Sequence, residues 1–518
     1  MNFKKYLDTN LVVSLLLFSI VWTLVNNSYD LSRDEMWYAD YSIKYNDTET
    51  RDIRHLSEND IHQVAFSHVY RNIERGMLKI FGENIFGLRV LNLLLSLLLI
   101  YTVHLWQSKS IEKHKNKLIV FTSLLLFLPI LSIYSHHARP DWAMMMITAT
   151  SLILLVIGIE RERDKYLYAA SFLFGLTAVI YWSGIAVLAG ALAIFLCMYI
   201  TEENNKSKYI YIVISLFALP VLYFSYIATY EFNELTSLFT EKNLQTGSLL
   251  AEPFISKYMS SLHIFLENIL KSKIQSFMLF GLIFGPLILL YLNGSALVDS
   301  KKRKIIKFIY LFIFTYVTTS LVRGGGVRYL YFILPVFLFL NMYILTILNQ
   351  KRESLISRGY FIGILALVFL SIFKTTMYVY DNKGQWSQYK KYESDLQYIL
   401  KDADGRALTS FEFAWILKDI DKLYIENFLF FIPDTYYKFK EVMIKSNVST
   451  ILIDETTRSR MINIKDDNIN QVWYQYLHRY IGENFIKKEE IFNIYYRKNK
   501  KMSPSDNRGY KTEVWQKL

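Results

Sequence analysis

Cysteine is almost absent from this sequence: Cys197 is the only one in 518 residues, and it lies within an apolar stretch. A disulfide framework in the polar parts of the chain is therefore excluded, and no Cys/His pattern typical of zinc sites occurs. The sequence also lacks a P-loop and a glycine-rich dinucleotide fingerprint. No repeat of fixed period is visible, which counts against the inverted repeats of secondary transporters.

Long apolar stretches are abundant, since 53% of the residues are hydrophobic although 20% are charged. This composition is too apolar for a soluble protein of this length and too charged for a chain lying wholly in a membrane. Stretches of roughly 17–25 apolar residues, the length that crosses a bilayer, predict about eleven transmembrane helices. They lie at 10–26, 86–106, 118–134, 142–159, 166–182, 184–200, 209–229, 275–293, 305–322, 329–349 and 359–379. The first lacks a small-residue cleavage site, so we expect a retained helix.

Lysine and arginine predict the orientation of these helices. If the spans alternate, the basic clusters fall on one side, at 4–5, 109–117, 161–165, 206–208, 301–304 and 351–358. The N terminus is therefore predicted to be cytoplasmic, and the loop 28–85, the loop 230–273 and the tail after residue 380 are predicted to lie outside. The net charge of +12 reflects mostly these clusters facing anionic lipid, so it does not indicate nucleic-acid binding.

The chain is predicted to have two domains. Residues 1–380 hold the spans, and residues 381–518 are polar, mixed in charge and typical of a small extracytoplasmic α/β domain. Helices are expected at 386–401 and 471–481, and strands at 423–432 and 448–453. A closing strand or hairpin is expected at 485–496, and a loose basic tail from about residue 498. The outer loop 28–85 contains two amphipathic stretches, which predict helices at 35–45 and 61–81 in the outer membrane interface.

Four predicted outer patches carry residues suited to sugar transfer from a polyprenyl-phosphate donor: 33–35, 62–75, 136–141 and 323–328. A carboxylate can remove the proton of an attacking acceptor hydroxyl. The leaving phosphate ester needs positive charge, which arginines and the backbone N–H groups of a glycine-rich loop supply. Attack opposite the leaving phosphate would invert the anomeric centre.

Each patch also has a purely structural interpretation. Arg139 and Asp141 could form an ion pair that ties two helix ends together, and His136 and His137 could be interfacial polar residues. The loop 323–328 could be a flexible turn anchored by its arginines. The patch 33–35 could be an ordinary loop start, and His62 and His68 could lie on the surface of an amphipathic helix.

Four segments, taken in order, resemble the GT-C superfamily of integral-membrane glycosyltransferases. They are Asp34-Glu35-Met36-Trp37-Tyr38-Ala39, the segment 80–89 (Ile-Phe-Gly-Glu-Asn-Ile-Phe-Gly-Leu-Arg), Ala138-Arg139-Pro140-Asp141, and Arg328-Tyr329-Leu330 followed by Leu334-Pro335. The similarity is greatest to the protein O-mannosyltransferase and aminoarabinose-transferase group, and it covers roughly residues 10–345. One departure is that Ser67-His68-Val69-Tyr70 lacks the prolines of the family's His-Pro-Pro segment.

The resemblance implies a role for each candidate site residue. Asp34 would be the catalytic base, with Glu35 as the alternative carboxylate, and Asp141 would position the acceptor or a metal. Candidates for the donor phosphate are Arg139, His68, Arg71, Arg328 and Arg323. No cofactor is fixed by the sequence. Some relatives use a divalent ion, for which the candidate ligands here are His137, Asp34 and Asp141.

We therefore expect an inverting glycosyltransferase of a bacterial inner membrane, acting at the outer face on a cell-envelope glycan, lipid or protein. Two alternatives stay open: a transporter or flippase of lipid-linked sugars, and an enzyme like O-antigen polymerases or ligases. A transporter should place charges near the bilayer midplane, whereas here they gather at predicted helix ends. Polymerases and ligases rely typically on arginine and histidine rather than on a carboxylate after the first span.

Overall fold

The computed structural model describes residues 9–26, 68–110, 139–181, 183–201, 206–230, 300–322, 334–351, scattered positions from 362 to 377, 394–401, 406–409, 422–424, 435–453, 457–458, 461, 469–493 and 510–518. These residues fall into two compact units that separate near residue 378. The first unit consists of helices: α1 (Thr9–Asn26), α2 (His68–Phe81), α3 (Ile85–Ser110), α4 (Pro140–Arg161), α5 (Asp164–Ile180), α6 (Gly184–Thr201), α7 (Lys206–Tyr230), α8 (Ser300–Val322) and α9 (Leu334–Lys351).

The predicted class, a polytopic helical membrane protein, is confirmed. Within the described ranges, four helical segments are long and apolar enough to cross a membrane: Ile85–Ser108, Pro140–Arg161, Gly184–Thr201 and Lys206–Tyr226. The predicted spans 118–134 and 275–293 lie outside the described residues, and 359–379 is described only at scattered positions. The number of eleven spans therefore stays a prediction.

Helix α4 lies at the centre of the first unit. It packs against α3, α5, α8 and α9, and it is buried around nearly its whole circumference from Pro140 to Gly158. A helix that is apolar on all sides is typical of a membrane span or of the interior of a helix bundle. The start of α4 is therefore fixed by several neighbouring helices, which matters because two of the predicted site residues lie there.

Helix α2 is amphipathic, and its apolar face packs on the bundle. Tyr70, Ile73 and Met77 recur at helical spacing and contact a cluster formed by Leu91 and Leu95 of α3, Ala143 and Ile147 of α4, and Ile180 of α5. The helix ends before Gly82, whose φ of 88° is a conformation that favours glycine. Asn84 then caps α3, because its Oδ1 accepts a hydrogen bond from the Gly87 N–H at 2.9 Å.

Helices α5 and α7 approach each other closely through small side chains. The Ser171 hydroxyl donates to the Ile212 carbonyl, and one turn further a Cβ on Gly175 would lie 2.3 Å from the Leu216 carbonyl oxygen. Small residues four apart are a common way of bringing two membrane helices together.

Gly175→Ala should therefore destabilise the first unit by about 2–3 kcal/mol, because the added methyl group meets backbone that cannot rotate away. Thermal unfolding of the purified protein in detergent would show a lower Tm. Gly76→Ala in α2 is the matched control, since a Cβ there has no atom within 4 Å. Alanine is the better helix former, so the control should keep or slightly raise the Tm. Equal Tm values for Gly175→Ala and wild type would contradict the close approach.

The second unit is an α/β domain with a five-stranded sheet of order β2-β1-β3-β5-β4. Its elements are β1 (Arg406–Thr409), β2 (Lys422–Tyr424), α10 (Tyr436–Lys445), β3 (Val448–Ile453), α11 (Ile469–Asn484), β4 (Phe485–Asn493) and β5 (Tyr510–Lys517). Strands β2, β1 and β3 run parallel, whereas β5 pairs antiparallel with both β3 and β4. Phe439 of α10 and Leu477 of α11 join the sheet residues Leu408 and Ile451 in one core.

The expectation of a loose basic tail from residue 498 is wrong for its last part, because Tyr510–Lys517 forms β5 inside the sheet. Thr512 and Val514 are fully buried although lysines flank the segment. Strand β3 is distant from β5 in the sequence, and a polar stretch separates β4 from β5. The composition around β5 therefore does not reveal its pairing with these two strands. The helices predicted at 386–401 and 471–481 and the strand at 448–453 agree with the described helical residues 394–400, α11 and β3.

Helices α10 and α11 are joined by a charged cluster around Glu483. Tyr436 donates its hydroxyl to Glu483 at 2.7 Å, and the Arg479 Nε donates to the same carboxylate at 2.8 Å while its guanidinium lies over the Tyr436 ring. These hydrogen bonds lower the pKa of Glu483 to about 2, and the one from Tyr436 has the largest effect. Arg479 and Glu483 are exposed, so their ion pair orients the two helices more than it stabilises them.

Candidate active site at the start of α4

The first turn of α4 holds a carboxylate and a guanidinium in a two-point contact. Arg139 Nε lies 3.2 Å from Asp141 Oδ1, and Arg139 Nη2 lies 3.0 Å from Asp141 Oδ2. Oδ1 also accepts a hydrogen bond from the Trp142 N–H at 3.1 Å. The ion pair therefore exists, and its two residues lie at the start of one helix.

The local sequence explains this geometry. Pro140 is at the first helical position, where its fixed φ fits the helix and its missing N–H costs no hydrogen bond. Asp141 follows in the first turn, where the helix dipole favours a negative charge. Arg139 has extended backbone geometry just before the helix, so its side chain can turn back to Asp141.

The two partners differ in exposure. The Asp141 side chain is 4% exposed and the Arg139 side chain 23%. Both oxygens of Asp141 accept hydrogen bonds, which fixes the plane of the guanidinium. A planar guanidinium held in this way is well suited to bind a phosphate oxygen pair.

Three further charged side chains are buried in the helices next to α4. Arg71 and Glu74 of α2 are 1% and 0% exposed, and Arg89 of α3 is 0% exposed. Arg71 and Glu74 are three residues apart, so they share one side of α2. Charged groups buried at this depth in a membrane protein are costly unless they are paired, and they are often functional.

The structure describes part of the predicted site. Arg71 and Asp141 lie on packed helices, Arg139 directly precedes α4, and His68 is the first residue of α2. The other predicted residues, Asp34, Glu35, His137, Arg323 and Arg328, lie outside the described residues.

Sequence reasoning assigned no role to Glu74 or Arg89. The sequence did contain a signal for each of them. Glu74 is a carboxylate within the apolar stripe of an amphipathic helix, and Arg89 is an arginine near the start of an apolar span.

The described residues contain no group of three or more His, Cys, Asp or Glu side chains that could hold a metal ion. Two of the three candidate ligands, Asp34 and His137, are not among the residues that the structure describes. A metal requirement therefore stays open, with Asp141 as the one candidate ligand that the structure describes.

Residues 69–226 match the model of the dolichyl-phosphate-mannose-protein mannosyltransferase family. The matched segment contains the buried charges of α2 and α3 and the Arg139–Asp141 pair. The search of curated proteins finds no significant match to the sequence. The fold is similar to the crystal structure of ArnT from Cupriavidus metallidurans bound to undecaprenyl phosphate, with a TM-score of 0.56, 11% sequence identity and 97% of each chain covered. The chain therefore shares the fold of ArnT over nearly its whole length, and its residues 69–226 are similar to a family of mannosyltransferases.

Proposed function

We propose that this protein is a glycosyltransferase that moves a sugar from a polyprenyl monophosphate to a cell-envelope acceptor at the outer membrane face, with inversion of the anomeric centre. The observation that carries the proposal is that the family match covers the helices holding Arg71, Arg139 and Asp141. The carrier class is supported by the ArnT structure of the same fold, which is bound to undecaprenyl phosphate. The acceptor class is a glycan, a lipid or a protein of the envelope.

The contacts of Arg139 and Asp141 support a role for each of them, and the role of Asp34 comes from the resemblance. Asp141 has both oxygens engaged, so it acts as a positioning residue that orients Arg139. Arg139, partly exposed and held in one plane, binds the donor phosphate and stabilises its charge as it leaves. Asp34, in the first outer loop of the predicted topology, is the base that deprotonates the acceptor hydroxyl.

The position of the charges favours this function over a flippase. Arg71, Glu74, Arg89 and Asp141 lie in α2 and in the first two turns of α3 and α4. In the predicted topology both helix starts lie at the same membrane face. A transporter would be expected to hold such groups near the midplane.

The test is transfer of labelled sugar in membranes that contain the protein, measured against membranes without it. The donors are a panel of polyprenyl monophosphate sugars and the matched diphosphates, with and without chelator. We expect transfer from a monophosphate donor only, and NMR of the product should show the inverted anomeric configuration. Right-side-out vesicles should react with donor added outside, and sealed inside-out vesicles should not. Movement of carrier lipid across liposomes without transfer from any donor would overturn the proposal in favour of a flippase.

A further inference from the structure

Strand β4 (Phe485–Asn493) lies at one edge of the sheet in the second unit, where β5 is its neighbour on one side. Among the described residues, no further strand pairs with its other side. With nine residues it is longer than most strands. An edge strand presents backbone N–H and C=O groups that can pair with another extended chain, which proteins either block or use for association.

The sequence of β4 is complementary to itself when it is read in the opposite direction. Residues 485–492 are Phe-Ile-Lys-Lys-Glu-Glu-Ile-Phe. Two antiparallel copies related by a two-fold axis between Lys488 and Glu489 would place position 485 opposite 492, 486 opposite 491, 487 opposite 490 and 488 opposite 489. Phenylalanine then opposes phenylalanine, isoleucine opposes isoleucine, and each lysine opposes a glutamate.

This order of charges distinguishes β4 from an edge that is merely protected. Charged side chains on an edge strand commonly prevent association, because like charges at opposed positions repel. In β4 the two lysines precede the two glutamates, so an antiparallel second copy brings opposite charges together at all four charged positions. Opposed pairs of opposite charge and of aromatic residues stabilise an antiparallel sheet.

The register of β4 with β5 is consistent with these pairings. Lys487 lies opposite Trp515 and Glu490 opposite Glu513, and since Trp515 and Glu513 are two residues apart, positions 487 and 490 share one face of the sheet. Between them the register shifts by one residue at Lys488, which marks a β-bulge. Each copy has the same two residues between positions 487 and 490, so the pairings on both sides of the axis keep their register.

The part of β4 next to the axis is accessible to a partner. Lys488 and Glu489 are exposed, and the apolar side chain of Ile486 is 43% exposed. In the antiparallel pair, Ile486 would lie opposite an isoleucine of the second copy, so apolar surface that faces solvent in one copy would be buried between two.

We propose that β4 pairs antiparallel with β4 of a second copy of this chain, so that two five-stranded sheets join into one across a two-fold axis. Lys488 of each copy lies opposite Glu489 of the other, which gives two charge pairs at the centre of the contact. A contact of this kind uses the same surface on both copies, so the assembly is closed at two. The dimer does not depend on the proposed function.

The test measures association of the purified full-length protein by sedimentation equilibrium in a density-matched detergent, with no substrate present. Wild type should be a dimer that dissociates on dilution. Lys488→Glu places glutamates opposite each other across the axis, and Glu489→Lys does the same with lysines. Each variant should therefore raise the Kd of the dimer about tenfold. Both side chains are exposed, so the variants should fold, and thermal unfolding checks this.

Two further samples separate lost complementarity from damage to the strand. The double variant Lys488→Glu/Glu489→Lys exchanges the charges, restores both opposed pairs and should dimerise like wild type. A mixture of the two single variants, carrying different affinity tags, should form a heterodimer, because the two glutamates of one copy then oppose the two lysines of the other. Glu441→Lys is the matched control: it reverses an exposed glutamate on α10, outside the sheet, and should leave the Kd unchanged.

The proposal would be overturned by a wild-type protein that is monomeric at every concentration measured. It would also be overturned by equal Kd values for wild type and the two single variants, since the dimer contact would then lie elsewhere on the chain. Failure of the folded single variants to form a heterodimer would contradict the antiparallel register, because the opposed charges would not be those at positions 488 and 489.

Discussion

Asp34→Asn is expected to lower the rate of sugar transfer by about a thousandfold, the range by which a positioned general base accelerates such reactions. Asparagine has nearly the same shape as aspartate but cannot accept the proton of the acceptor hydroxyl. The donor should still bind, because the proposed phosphate contacts come from arginines on other segments. We therefore expect a fall in kcat with little change in the donor KM.

The measurement is the membrane transfer assay at saturating donor, with protein amounts matched by immunoblot. Asp40→Asn is the control, since it makes the same chemical change in the same loop, and it should retain activity. Glu35→Gln separates the two adjacent carboxylates and should have a much smaller effect than Asp34→Asn. Full activity of Asp34→Asn would remove Asp34 from the mechanism and leave Glu35 as the candidate base.

The sequence predicted the helices of the first unit well because the cost of burying unpaired backbone in lipid forces long apolar stretches into helices. The predicted span 142–159 begins two residues after the observed start of α4, although Pro140 and Asp141 are typical of a first helical turn. Both kinds of signal are local, and they depend little on which other segments lie nearby.

Features that depend on distant segments could not be predicted. Whether Glu74 faces lipid headgroups or the bundle depends on how α2 is rotated against α3 and α4, and the structure turns it fully inward. The strand β5 is another example, because its lysines suggested a tail until its pairing with β3 and β4 was known. The contacts of Glu513 in β5 with Arg458 and with Lys487 of β4 likewise join distant parts of the sequence, so no local motif indicated them.

Removing the charge of Arg139 should lower the free energy of unfolding more than removing the charge of its partner Asp141. Arg139→Gln leaves a carboxylate that is 4% exposed without its cation, and we expect a loss of about 3–5 kcal/mol in the free energy of unfolding. Asp141→Asn leaves an arginine whose side chain is 23% exposed and can turn toward solvent, so about 1–2 kcal/mol should be lost. The double variant should be more stable than Arg139→Gln alone, because the carboxylate that lost its arginine is replaced by a neutral amide.

Unfolding in mixed detergent micelles would measure these differences, and the transfer assay would measure activity in the same preparations. Asp164→Asn is the control, because Asp164 also lies in a first helical turn and pairs with a lysine, Lys208, but its side chain is 47% exposed. It should lose less than about 1 kcal/mol. If the pair were only structural, the double variant would recover activity along with stability. If Arg139 binds the donor phosphate, the double variant will be stable and inactive, and its donor KM will be raised. Equal destabilisation by the two single variants would contradict the difference in burial on which this argument depends.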